Sequence, residues 1–121
     1  MTLESRIREV TIQSGNCWQT ALYLVGLAPY GFKGDMEDAK SILSENAISV
    51  EGPSVGDIAV LGQVDNRNFE HMAVVTEMGA DDVKVTHRHF YQGPFKLNES
   101  LETFRRGNGY TNSNTVFYKI K

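Results

Sequence analysis

The stretch from Gln13 to Gly26 constrains the fold most, because it combines an apolar helix with the only cysteine of the chain. Asn16 or Ser14 can cap the start of this helix, since a short polar side chain accepts a hydrogen bond from a free backbone N–H. Gly26 supplies the left-handed residue that ends it. The apolar residues in between cover a broad face, so the pattern predicts a buried helix of about ten residues that opens near Cys17.

The position of Cys17 in the first helical turn has two interpretations. Free N–H groups and the positive end of the helix dipole favour the thiolate there, which is the nucleophilic form. Free cysteine is also among the most buried residue types, so a small core residue is the alternative. The choice depends on whether the fold brings a base to the thiol.

The composition is that of one globular domain, residues 1–121, with 40% hydrophobic and 22% charged residues. A net charge of −3 with scattered Lys and Arg argues against a nucleic-acid partner. No apolar run is long enough to cross a bilayer, and the N-terminus lacks the order of a secretory signal. We therefore expect no membrane partner and a cytoplasmic chain as synthesised, and a single cysteine cannot form an internal disulfide.

Metal binding is weakly indicated by the same residues. The potential ligands are Cys17 and three histidines, and only His87 and His89 lie close together in the sequence. A structural zinc site needs four ligands with closer pairing. We expect neither a metal nor another cofactor.

Periodicity predicts an α+β domain. Two helices are expected outside the cysteine helix and before the first strand: a short one within residues 2–12 and one from Asp35 to about Asn46. Residues 47–57 are expected to form a turn-rich connector, and a short helix is expected at about 98–106. The cysteine helix then packs on a small antiparallel sheet. The expected strands are Ile58 to Leu61, His71 to Glu77, Val83 to Phe90 and Thr115 to Ile120.

Histidines recur on the apolar faces of two successive predicted strands. Alternation places His71 with Ala73 and Val75, and it places His87 and His89 together on the apolar side of the next strand. The other side of that strand is predicted to face solvent. Its residues are Lys84, Thr86 and Arg88.

Hairpin register decides which histidine faces His71. Either His87 or His89 can lie opposite it across an antiparallel ladder. The register that places Thr76 opposite Asp82, with a loop of residues 77–81, closes more easily than a tighter turn. We therefore predict His87 as the partner of His71, with His89 nearer the rim.

These residue types are the ones that acyl transfer through cysteine requires. Cys17 supplies a nucleophile, His71 a base, and a polar residue on the next strand fixes the tautomer of the base. The alternative is that His71 is a satisfied strand terminus and that the other histidines lie on the sheet surface. The catalytic interpretation predicts that the Cys17 sulfur lies within about 4 Å of a His71 ring nitrogen.

Four segments, NCWQTALYLVG, PSVGDIAVL, HMAVVTE and VKVTHRHF, resemble in that order the NlpC-type branch of the papain-like superfamily, which includes the CHAP amidases. In that branch a cysteine opens a helix, a Gly-Asp pair precedes the first strand, a histidine begins the second and a polar residue lies on the third. The resemblance spans residues 13–90 and implies a papain-like fold. It implies Cys17 as nucleophile, His71 as general base and His87 as orienting residue in hydrolysis of amide bonds such as those of bacterial cell-wall peptides.

Departures from the family pattern leave alternatives open. The usual Asp-Cys-Ser-Gly is replaced by Asn-Cys-Trp-Gln at positions 16–19, so the substrate stays open between peptidoglycan and other amides. A phage-borne enzyme, a cytosolic hydrolase and a thiol acyltransferase fit equally well. Gln13 is either an oxyanion-hole donor or a solvent-facing residue. The rival class is a non-enzymatic binding or assembly protein, whose contact residues would be Trp18, Tyr30, Phe32 and Tyr91.

Overall fold

A computed structural model describes residues 2–10, 16–29, 34–62, 71–80, 82–88, 95–106 and 114–121. Within these ranges the strands form one antiparallel six-stranded sheet in the order β1-β6-β2-β3-β4-β5. The chain is therefore mixed α+β, as predicted. The elements are α1 (Leu3–Val10), α2 (Cys17–Leu24), α3 (Met36–Asn46), β1 (Ala47–Val50), β2 (Ile58–Leu61), β3 (His71–Met78), β4 (Val83–Arg88), β5 (Phe95–Ser100), α4 (Leu101–Arg106) and β6 (Thr115–Ile120).

Helices cover both faces of the sheet. Residues of α1, α2 and α3 form one core with Ile58, Val60, Met72 and Val74, while Phe104 of α4 packs on the other face. Every residue of β2 and the first five residues of β3 are buried for this reason. Strands that are buried on both faces have continuous apolar runs in their sequences, and β2 and the first half of β3 have this pattern.

Two element predictions were wrong. The predicted connector contains β1, which pairs with β6, and the helix predicted from about Asn98 starts only at Leu101, because residues 95–100 form β5. β1 has four residues, of which only Ala47 is buried. A strand this short carries little alternation, and its partner lies far along the chain, so neither signal was visible locally.

The predicted solvent face of β4 is largely buried. Thr86 and Arg88 are buried and Lys84 is half-buried. Arg88 Nη2 donates to the carbonyl oxygen of Val10 at 2.7 Å, and its Nε donates to the Thr20 hydroxyl at 3.3 Å. The prediction failed because α1 and α2 cover this face, where a guanidinium is tolerated once its N–H groups find acceptors.

The Gly-Asp pair before β2 has a structural role. Gly56, at φ +96°, donates its N–H to the Val75 carbonyl, and Val75 donates back to the Asp57 carbonyl, both at 2.8 Å. The Asp57 carboxylate accepts the N–H of Ser54 at 2.8 Å. These bonds fix the entry of β2 beside β3 and so help to hold the strand that begins with His71.

The end of the cysteine helix is fixed by Gly26, as predicted. Its φ is +82°, its N–H donates to the Tyr23 carbonyl at 3.0 Å, and the Leu27 N–H donates to the Leu22 carbonyl at 2.9 Å. This is the Schellman arrangement. A Cβ at this position would lie 2.5 Å from Nη1 of Arg6, so both the backbone angle and the space favour glycine.

We expect Gly26→Ala to lower the free energy of unfolding by about 2 kcal/mol, from left-handed strain plus displacement of Arg6. Two matched controls separate these causes. Gly56 has φ +96° with open space around a Cβ, so Gly56→Ala adds strain alone and costs about 1 kcal/mol. Gly52 has neither feature, so Gly52→Ala stays within about 0.5 kcal/mol of the parent. Urea unfolding measures all three, and equal losses for Gly26→Ala and Gly56→Ala would show that Arg6 moves freely.

Candidate active site

Cys17 is the first residue of α2 because Asn16 caps the helix. The Asn16 side chain accepts the Gln19 N–H at 2.9 Å, and the Gln19 side chain accepts the Asn16 N–H at 3.0 Å. This reciprocal capping box satisfies two backbone donors. Of the two predicted caps, Asn16 fills the position, while Ser14 lies outside the described residues. Asn16 and Gln19 therefore fix where the helix begins. Both differ from the Asp and Gly of the pattern to which this stretch was compared.

The Cys17 thiol lies beside Met72 at the start of β3, and the residue is 6% exposed. Burial raises its pKa from 9.0 to about 12. The backbone N–H groups of Met72, Trp18 and Cys17 itself lower the pKa of the thiol, but by less than burial raises it. The helix start thus acts in the predicted direction, but desolvation outweighs it. Of the two interpretations of Cys17, this direction favours a neutral thiol near neutral pH.

His71 and His87 are hydrogen-bonded to each other. His71 Nε2 lies 2.7 Å from His87 Nδ1, with the rings nearly perpendicular at 82°. Both side chains are fully buried. The predicted pairing of these two histidines is therefore present, and the interpretation of His87 as a sheet-surface residue is wrong.

The register that led to this pairing was nevertheless wrong. Val74 lies opposite Thr86 and Val75 opposite Val85, two residues away from the predicted alignment. The ladder then shifts between Val75 and Glu77, and the hairpin ends at Met78 opposite Val83. Continued from Val74, this register sets His87 diagonally across from His71, a separation that long side chains can bridge.

Glu99 is the site residue that sequence reasoning missed. His87 Nε2 lies 2.9 Å from Glu99 Oε1, and the Glu99 side chain is 12% exposed. Residues 71, 87 and 99 thus form a row across three neighbouring strands, with both histidines buried and Glu99 half-buried, which we call the His-His-Glu network. Assigning residues 98–106 to a helix placed Glu99 in the wrong element. The period-two pattern of Phe95, Lys96 and Leu97 was the available signal for β5.

Phe104 packs against both histidine rings of the network. Its ring centroid lies 5.3 Å from that of His71 and 5.1 Å from that of His87. The ring of His71 packs with Phe104 on the face that carries Ala73 and Val75, as alternation predicted, and the cysteine helix covers the opposite face. Cys17 and His71 therefore approach the first residues of β3 from different sides. Met72, whose backbone N–H lowers the pKa of the thiol, directly follows His71.

Several predicted site residues lie outside the described residues, namely Gln13, His89, Tyr30, Phe32 and Tyr91. Trp18 is half-buried beside Cys17. In the described part of the chain, no group of three or more His, Cys, Asp or Glu side chains is placed to hold a metal ion. None of the helices described there has the length and apolar character needed to span a membrane.

Comparisons with protein-family models, curated proteins and solved structures gave no match.

Iodoacetamide labelling measures the state of the thiol, since Cys17 is the only cysteine. With a pKa of about 12 against 9.0, the native thiolate fraction at pH 7 is about 10³-fold below that of the unfolded chain. We expect native labelling to be slower by at least that factor and to keep rising with pH beyond 9. The unfolded chain in urea is the control. Fast native labelling at pH 6 would contradict the neutral thiol and indicate a preformed thiolate.

Proposed function

We propose that this protein is a cysteine-dependent hydrolase that cleaves an amide bond through a thioester acyl-enzyme, on a papain-like domain of the NlpC type. The observation that supports the proposal is that Cys17 and the bonded His71–His87 pair both lie at the start of β3. A nucleophile, a base and an orienting residue are the minimum set for this chemistry. Cys17 and His71 are the catalytic residues, and His87 orients His71.

In this mechanism the neutral thiol is activated only as it attacks. His71 Nε2 is engaged by His87, so Nδ1 takes the thiol proton while Sγ forms a bond to the amide carbonyl carbon. The protonated His71 then gives this proton to the amine as the C–N bond breaks, which leaves a thioester on Cys17. Water attacks the thioester with His71 as base and releases the acid and the thiol. The close approach of Nδ1 to Sγ remains a prediction.

The substrate class follows the family resemblance, which implies amides of bacterial cell-wall peptide. The test is incubation of the full chain with purified peptidoglycan fragments, measuring new amino and carboxyl termini by mass spectrometry. Brief acid quenching should capture an acyl group on Cys17. Fragments that stay intact, with no adduct on Cys17, would contradict the proposal. An acyltransferase on the same site differs in one step, because an added amine such as hydroxylamine then captures the acyl group faster than water does.

A non-enzymatic binding protein is the second candidate, and the burial of Cys17 favours it. A cysteine that is 6% exposed, with burial raising the pKa of its thiol to about 12, is also what a core residue shows. This candidate predicts that peptidoglycan fragments bind without cleavage, and that Cys17→Ala leaves binding unchanged.

A further inference from the structure

Glu99 joins the site from β5, beside the strand that carries His87. Val85 lies opposite Glu99 in the ladder, and the register shifts before His87 pairs with Lys96. Asn98, at φ +52°, lies within this irregularity. The bulge therefore lets the Glu99 carboxylate reach a ring on the neighbouring strand that is not its direct partner.

We propose that Glu99 is a positioning residue that acts through His87 to fix which ring nitrogen of His71 accepts a proton. This inference rests on the proposed function. Glu99 does not touch the thiol in this scheme, and its effect is transmitted through two hydrogen bonds.

Tautomer logic carries the effect from one residue to the next. A carboxylate can only accept hydrogen bonds, so the His87 Nε2 at 2.9 Å must carry the proton. A neutral His87 then has an unprotonated Nδ1, which accepts a hydrogen bond from His71 Nε2–H at 2.7 Å. A neutral His71 protonated at Nε2 has its lone pair on Nδ1. The Glu99 carboxylate on β5 thereby makes Nδ1 the basic nitrogen of His71.

Burial makes this selection strict. Both rings are fully buried, so water cannot replace a lost partner, and polar bonds are stronger at low dielectric. Phe104 packs against both rings and limits their rotation. Without an obligate acceptor at residue 99, His87 can carry its proton on Nδ1 and donate to His71, which reverses the tautomer and removes the base.

The test compares three variants by imidazole nitrogen NMR of the full chain, which needs no substrate. We expect both histidines of the parent to be protonated at Nε2. Glu99→Gln keeps the shape but can present an N–H, so it should give mixed tautomers. Glu99→Asp keeps the carboxylate and should retain the parental tautomers. Glu102→Gln is the matched control, since it removes a carboxylate that is 65% exposed on α4.

Activity on peptidoglycan fragments is the second readout. We expect Glu99→Gln to lower kcat about 10- to 100-fold with little change in KM, since only orientation of the base is lost. Glu99→Asp should recover part of this loss. A parent with His71 protonated at Nδ1, or unchanged tautomers in Glu99→Gln, would overturn the inference. If the parent cleaves nothing, the proposed function fails, while the NMR result still decides whether Glu99 fixes the tautomers.

Discussion

Replacing Cys17 with alanine should remove peptidoglycan cleavage by at least about 10⁴-fold, because no other group in the mechanism can form the acyl-enzyme. The same change should cost less than about 3 kcal/mol of unfolding free energy, since it deletes one buried heavy atom at a helix start. Chemistry and stability are thus expected to separate. Initial rates on purified fragments and urea unfolding of the same preparations measure the two effects.

The control for the cavity is Ile58→Val, which also deletes one fully buried heavy atom, in β2 opposite Val74. It should cost about 0.5 to 1.5 kcal/mol and leave the cleavage rate unchanged. Loss of more than about 3 kcal/mol in Cys17→Ala would favour a core residue over a nucleophile. Residual cleavage above a tenth of the parental rate would exclude Cys17 as the nucleophile.

His87→Ala should lower kcat about 10³-fold, because His71 loses the bond that holds its ring and tautomer. It should also cost about 2 to 4 kcal/mol, since the change leaves a cavity and strips a buried partner from both His71 and Glu99. His87→Gln keeps most of the volume and should recover stability more than activity. Steady-state kinetics and urea unfolding of both variants separate orientation from packing.

His89→Ala is the matched control on the same predicted strand. We expect a smaller loss of kcat than in His87→Ala, in keeping with the predicted rim position. A larger loss in His89→Ala would show that His87 is a packing residue and that the orienting role belongs to His89.

Local signals predicted the elements that build the cysteine end of the site. Asn16 and Gly26 bound the cysteine helix as their capping chemistry requires, and β2 and β6 have the predicted bounds. Long-range pairing was beyond local signals. No residue type in β3 indicates the shift of register between Val75 and Glu77. The predicted contact between His71 and His87 is present despite the wrong register, because the two side chains are diagonal neighbours.

Desolvation was the other quantity that the sequence could not supply. A helix start predicts a lowered pKa for Cys17, but the amount of protein packed over the thiol depends on the whole fold, and it reverses the sign. The contact of Glu99 with His87 was not predicted for a related reason. It depends on a bulge in β5 and on the pairing of β5 with β4.

The sheet order has a consequence for how the protein is assembled. The strands that carry the His-His-Glu network follow one another in the chain, with contacts only 16 and 12 residues apart, so hairpin formation can bring these three residues together early. β6 instead lies between β1 and β2. The edges of β1 and β2 that pair with β6 therefore have no partner until residues 115–120 are synthesised. An unpaired apolar edge such as that of β2 recruits other chains. During synthesis, β3, β4 and β5, which carry the His-His-Glu network, can form before β6 covers the edge of β2 and protects the sheet from aggregation.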